Sequence, residues 1–175
     1  MRIYEKGTVS VTVRANKVRT ENDITVKRII SDDELQDALS LAENVFMQFE
    51  APTFTKRGTE SFLSFIWGKR LREMFEDGSF TVWGCYRGKE LAGMIALRDC
   101  AHISLAFVRS DFHRQGIGRM LYAAAKAEAM AHGTKRITVN ASDCGIPFYH
   151  AMGFRKTDMQ LLTDGILYTP MAARI

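Results

Sequence analysis

The chain has 175 residues, 46% of them apolar and 10% aromatic, with a formal net charge of +4. That is the length of one domain, with enough apolar material for a sizeable core. There is no apolar run of the roughly 18 residues that a membrane span needs, and the basic residues are scattered rather than massed into the stripe of a nucleic-acid protein.

The three cysteines, Cys85, Cys100 and Cys144, are odd in number and form no C-x-x-C pair. They read as reduced thiols in a cytoplasmic protein, not as a disulfide framework or a zinc site. The histidines (His102, His113, His132 and His150) lack metal-ligand spacing, so no metal is expected. Met1–Gly7 carries no apolar signal core, in keeping with a cytoplasmic setting. A mild basic excess also suits a protein that holds one polyanionic cofactor.

In chain order, the alternation Thr8–Arg14 predicts a strand with Val9, Val11 and Val13 on one face. Ile24–Ile30 is a second strand. Ser31-Asp-Asp-Glu34 is a capping box. The helix after it should run to about Gln48 on a stripe of Leu35, Ala38, Leu39, Ala42, Val45 and Phe46, with Pro52 beyond its end. Thr59–Glu76 reads as one further helix. Its cluster Lys69, Arg70 and Arg72 is expected to be a solvated face.

Ser79–Tyr86 and Glu90–Leu97 form a hairpin about Arg87-Gly88-Lys89. Ala101–Val108 is the next strand. The helix Gly116–His132 should stop at Gly133. Lys135–Ala141 is a strand. Pro147 belongs in a first turn, which predicts a short helix from near Asp143, stopped by Gly153. Phe154–Met159 and Gly165–Met171 close the sheet as a last hairpin. The order gives an α/β fold with a mixed sheet.

The most informative stretch is Phe107-Val-Arg-Ser-Asp-Phe-His-Arg-Gln-Gly-Ile-Gly-Arg-Met-Leu121. A strand enters a basic, glycine-bearing turn and a helix leaves it. The first amides of a helix have no partner inside it, and the helix dipole adds partial positive charge there. Together they make a site for phosphate. Gly116 and Gly118 would let a diphosphate approach the main chain. The pattern is neither the dinucleotide G-x-G-x-x-G nor a P-loop.

H-R-Q-G-I-G resembles the acyl-CoA-binding turn of the GNAT superfamily of N-acetyltransferases, [QR]-x-x-G-x-[GA]. His113 departs from that pattern at the first position. A second stretch, Ile146-Pro-Phe-Tyr-His-Ala-Met-Gly-Phe154, resembles the family signature F-Y-x-x-x-G-F. The two occur in the correct order and spacing, and the element order is that of the GNAT fold. The resemblance covers residues 24–171 and implies a central mixed, mostly antiparallel sheet flanked by helices. One GNAT domain is expected over 24–175, with residues 1–23 as an extension, either a strand or a tail.

The resemblance further implies acetyl-CoA as the acyl donor and a small amine-bearing acceptor, by direct transfer in a ternary complex. A non-catalytic acyl-CoA sensor or interaction module with the same fold is the alternative. No nucleic acid or membrane partner is expected. Homodimers occur in this fold, although no residue here argues for one. By resemblance, His113, Arg114, Gln115, Gly116, Ile117, Gly118 and Arg119 hold the diphosphate. The main chain of Leu105, Ala106, Phe107 and Val108 pairs with the pantetheine arm, and an amide near Leu105 or Ala106 faces the thioester oxygen.

Tyr149 falls on the family tyrosine near the CoA sulfur, and a phenol that stays protonated at neutral pH suits a general acid. Where family members carry Asn, this chain has Ser142, with Asn140 nearby; either is placed to bond the arm, and Ser142 equally to cap the short helix. Four groups compete as general base: Glu50, Asp99, His102 and Ser104. Cys144 lies next to the site but lacks a motif-placed activating partner for an acyl-cysteine route.

Overall fold

The structure is a computed structural model, and it describes residues 23–175. The predicted strand Thr8–Arg14 lies outside the described residues. Strand β1 (Ile24–Ile29) leads into helix α1 (Asp32–Phe49). Ser31 caps α1 by accepting from the Glu34 N–H at 3.3 Å. The Glu34 carboxylate reaches back to accept from the Ile30 N–H at 3.3 Å and from Lys27 Nζ at 2.6 Å. The stripe is as expected, with Leu41 also buried and Val45 half-buried. A single 3-10 turn, Ala51–Thr53, with Pro52 in it, ends this arm.

The single helix expected over Thr59–Glu76 is two: α2 (Lys56–Ile66) and α3 (Lys69–Asp77). The chain breaks at Gly68, whose ψ of 148° is extended. A Cβ there would lie 2.5 Å from the Ser64 carbonyl oxygen, so glycine permits the tight corner. The basic residues Lys69 and Arg70 on α3 are solvent-exposed, and Lys69 pairs with Glu73 at 2.8 Å.

Strands β2 (Phe80–Arg87), β3 (Glu90–Arg98) and β4 (His102–Val108) follow as an antiparallel meander. A second 3-10 turn, Ser110–Phe112, leads to α4 (Ile117–Ala131), then β5 (Arg136–Ala141) and α5 (Ile146–Ala151). Gly133 and Gly153 take φ of 76° and 91° just past α4 and α5, as helix-stopping glycines do. The closing hairpin differs from expectation. Strand β6 is only Arg155–Lys156, and the turn Asp164-Gly165 joins β7 (Leu161–Thr163) to β8 (Ile166–Arg174). Asp164 and Gly165 both have positive φ, which a two-residue hairpin turn requires.

The sheet order is β1-β2-β3-β4-β5-β8-β6, with β7 paired to β8. Among the described residues only β4 and β5 run parallel; the other pairs are antiparallel. One face packs on α1, α2 and α3 through Phe46, Leu71, Val82, Met94, Leu105 and Phe107. The other packs on α4 and α5 through Cys85, Ile95, Leu121, Ala125 and Phe154. Each fully buried side chain of this size contributes about 1.5–3 kcal/mol. The sheet between these layers is the frame on which the cleft is cut.

Candidate active site

The cleft begins as a failure of strand pairing. Strand β4 meets β5 at only His102–Thr138 and Ile103–Val139. On its other edge Ala96 pairs with Leu105 and Leu97 with Ile103, which leaves Ser104 as an extra residue. That is a β-bulge, and a bulge bends the strand that carries it. Past Ser104 the two parallel strands part, and a cleft of about 430 Å³ opens there.

The bulge sorts the main chain of β4. The Arg109 N–H donates to the Ala92 carbonyl at 2.9 Å. Antiparallel pairing alternates, so the amides of Phe107 and Leu105 also turn towards β3, and those of Ala106 and Val108 turn to the open edge. The four residues Leu105–Val108 are therefore not equivalent. Leu105 and Phe107 also bury their side chains in the core. His113 turns its Nε2 back onto the Val108 carbonyl at 2.8 Å, so its ring is engaged with the strand.

Next comes the mouth of α4. Arg114 (φ 62°) and Gly116 (φ 81°) both adopt the left-handed conformation and curl the chain into the helix. Among the described residues, no hydrogen bond reaches the main-chain N–H of Ile117, Gly118 or Arg119. No side chain caps this helix. Gln115 is held on two sides, donating to the Asp111 carbonyl at 3.0 Å and accepting from Arg87. The glycines do different work. A Cβ on Gly116 would meet nothing within 4 Å, whereas one on Gly118 would lie 2.9 Å from the Phe148 ring. The missing Cβ of Gly118 thus serves the packing of α4 on α5, and only its amide faces the mouth. Ile117 likewise buries its side chain.

Nine residues expected from the sequence line the cleft: Glu50, His102, Ser104, Leu105, Ala106, Phe107, Asn140, Ser142 and Tyr149. Helix α5 presents Tyr149, buried edge-on against Phe148 and Phe154 at 5.2 and 5.3 Å between ring centres. Burial, reinforced by the charge of nearby Glu50, pushes its phenol well above the ordinary tyrosine range. Glu50 follows the end of α1. Burial raises its carboxyl above the ordinary 4.5, and Ser142 facing it works the other way. Ser142 does not cap α5, whose N-cap is Gly145 without a side-chain bond.

The other base candidates differ. Asp99 lies in the β3–β4 turn with φ 51°, beside Arg98, and does not line the cleft. His102 lines the far end. Burial, then the Arg98 charge, lowers its imidazole to about 4, and its Nδ1 lies 2.8 Å from the Thr138 hydroxyl. The Ser104 hydroxyl is buried with no hydrogen-bond partner. Cys144 is exposed and does not line the cleft. Among the described residues no group of His, Cys, Asp or Glu is placed to hold a metal, and no helix is long and apolar enough to cross a membrane.

A family model described as acetyltransferase (GNAT) domain matches residues 50–175. The chain belongs to the GNAT acetyltransferase family. No curated protein matches it. Among solved structures, a GCN5-related N-acetyltransferase from Rhodopseudomonas palustris is similar at a TM-score of 0.74 and 17% identity, over 91% of this chain and 100% of that one. The PaiA N-acetyltransferase from Thermoplasma acidophilum, in complex with coenzyme A, is similar at 0.71 and 16%, over 87% and 99%. A GNAT-family acetyltransferase from Staphylococcus aureus Mu50 is similar at 0.64 and 10%, over 87% and 99%. At these identities the likeness is one of fold.

Other parts of this GNAT cleft escaped sequence reasoning. The bulge at Ser104 has no glycine or proline to mark it. Phe54, Arg98 and the β8 residues Ile166, Leu167 and Tyr168 also line the cleft. The β8 residues reach it because the β7–β8 turn is tied down on α2. Ser61 Oγ donates to the Asp164 carbonyl at 2.8 Å, Thr55 Oγ1 to the Gly165 carbonyl at 3.1 Å, and Arg57 pairs with Asp164 at 3.2 Å. Gly58 and Gly165 touch backbone to backbone; a Cβ on Gly165 would lie 2.6 Å from the Gly58 nitrogen.

Proposed function

We propose that this protein moves an acetyl group from acetyl-CoA directly to the primary amine of a small acceptor. The observation that carries the reading is the splayed β4–β5 pair, with unpartnered amides at the α4 mouth beyond one end and Tyr149 beside Glu50 in the gap. A coenzyme diphosphate suits those amides and the helix dipole behind them. The open-edge amides of Ala106 and Val108 suit the amide-bearing arm. When bound, acetyl-CoA supplies an activated thioester carbonyl.

The side chains then divide the proton work. Over the reaction the acceptor nitrogen, bound as an ammonium, gives up two protons. Glu50 takes the first, because burial has made its carboxylate a stronger base than an exposed one. The nitrogen then bonds to the acyl carbon and the carbon–sulfur bond breaks. Tyr149, kept protonated by its burial, donates to the departing sulfur. The second nitrogen proton restores the phenol. Asn140 and Ser142 line the same stretch and orient the arm. Direct transfer fits the position of Cys144 outside the cleft.

The experiment is Tyr149→Phe, assayed by thiol release from acetyl-CoA with an amine the wild type accepts. The expected result is a kcat loss of about 10²–10⁴-fold with CoA binding retained in calorimetry. Unchanged turnover would remove Tyr149 from the chemistry. Absence of any CoA binding by the wild type would remove the whole reading.

A further inference from the structure

The cleft also extends from Ser104 towards the start of β4. Phe46, Phe54, Phe62 and Phe65 line it from the helices, from Phe107, which Phe62 meets at 5.9 Å, to Phe80, which pairs with Arg98 and which Phe65 meets at 6.4 Å; Leu167 and Tyr168 line it from β8. These rings pack on one another: Phe46 stacks on Phe62 at 3.8 Å and meets Phe54 edge-on at 5.3 Å. Two charged groups stand at its ends, and Ser61, Ser104, Thr163 and Tyr168 also line it. Glu50 is at the reacting end. At the other end, Arg98 sits directly across the β3–β4 pair from His102.

The far end is cationic. Arg98 pairs only loosely with its neighbour Asp99, at 3.7 Å, and the 70% exposed Asp99 does not line the cleft. His102 is neutral near pH 7, since its imidazole is held at about 4. Asp164, which also lines the cleft, is tied to Arg57 at 3.2 Å. One guanidinium therefore faces an apolar channel whose opposite end takes an amine. Two residues of extended strand separate Ser104 from His102, which is about 7 Å at about 3.3 Å per residue.

We infer that the acceptor is an elongated primary amine with an aromatic-sized apolar body and a carboxylate at the end remote from the nitrogen, bound by Arg98. This rests on the acyl transfer proposed above. Arginine matches a carboxylate in bidentate geometry, and the phenylalanine walls match the body. A polyamine would set a second ammonium against Arg98. An α-amino acid holds its carboxylate too near its nitrogen to reach Arg98.

The test is thiol release from acetyl-CoA with three amines: para-aminoethylbenzoate, phenethylamine and spermidine. The expected order of kcat/KM is the benzoate first, about tenfold or more above phenethylamine, and spermidine last. Arg98→Gln should abolish the benzoate's advantage through KM and leave phenethylamine unchanged, while Arg98→Lys keeps part of it. Preference for spermidine, equal rates with benzoate and phenethylamine, or an equal loss on both in Arg98→Gln overturns the inference and leaves the acyl transfer standing. No thiol release with any amine, by a protein that binds CoA, overturns both.

Discussion

The two arms of the cleft are built from different material. The proposed cofactor arm is main chain: amides of Ala106 and Val108 on an open strand edge, and of Ile117, Gly118 and Arg119 at a helix mouth. The proposed acceptor arm is side chain: phenylalanines from α1, α2 and the turn between them, Arg98 from β3, and residues from the start of β8. A main-chain site tolerates side-chain change, because what it needs is a backbone path. A side-chain site is remade by single substitutions. One scaffold can therefore keep its donor while its acceptor varies, as expected where function is grafted on a shared fold.

The sharpest way to test this division is at the point where the arms meet. Glu50→Gln removes the charge but keeps the shape. The expected loss in kcat is about 10²-fold or more, with CoA affinity unchanged. The wild-type rate should rise with pH along a limb set above the ordinary carboxylate value of 4.5, and the variant should lack that limb. Stability carries a second sign. The folded carboxyl holds its proton to higher pH than the unfolded one, so its contribution is full below about 4.5 and is lost as pH rises through the folded value. Glu50→Gln should therefore melt higher than wild type at pH 7–8 and alike near pH 4. A variant that melts lower at neutral pH would contradict the burial assigned to Glu50.

The cofactor arm predicts the opposite pattern at Gly116. Its φ of 81° is costly for any residue with a Cβ, and no neighbour stands in the way. Gly116→Ala should lose about 1–2 kcal/mol of stability from the left-handed conformation alone. It should weaken CoA by about tenfold as the amides lose alignment, while selectivity among acceptors stays the same. A changed acceptor preference with normal CoA affinity would break the division between the arms.

The same contrast explains what was legible in the sequence. The α4 mouth was readable because its parts are contiguous: strand, basic turn, two glycines and helix lie within Phe107–Leu121. Tyr149 was readable through Gly153 and Phe154 beside it. The Ser31 cap and the α1 stripe were local too. The missed features are long-range. Nothing near Ser104 announces a bulge, since its register is set by β3 across the sheet. The break at Gly68 looked like a tolerated glycine in a continuous helix, because the apolar spacing runs on through Leu71 and Phe75. Nothing around Arg98 in the chain marks it, since its place in the cleft depends on α2 and β8 arriving from either side. Even Gly118, singled out for the approach of a diphosphate, owes its missing Cβ to Phe148, thirty residues later in the chain.

The smallest expected effect on binding lies furthest from the chemistry, where the β7–β8 turn is seated on α2. Gly58 and Gly165 touch through their backbones, and a Cβ on Gly58 would collide with the Gly165 carbonyl. Backbone cannot swing aside as a side-chain tip can, so Gly58→Ala must lift the turn and strain the bonds from Ser61 and Thr55. The cost should be about 1–3 kcal/mol, as for other overpacked contacts. Leu167 and Tyr168 follow the turn and line the acceptor arm, so the acceptor KM should rise several-fold while CoA affinity and kcat stay near wild type. An equal loss of CoA binding would mean that the two arms move as one body, and that the separation between backbone-built and side-chain-built halves describes their origin but not their behaviour.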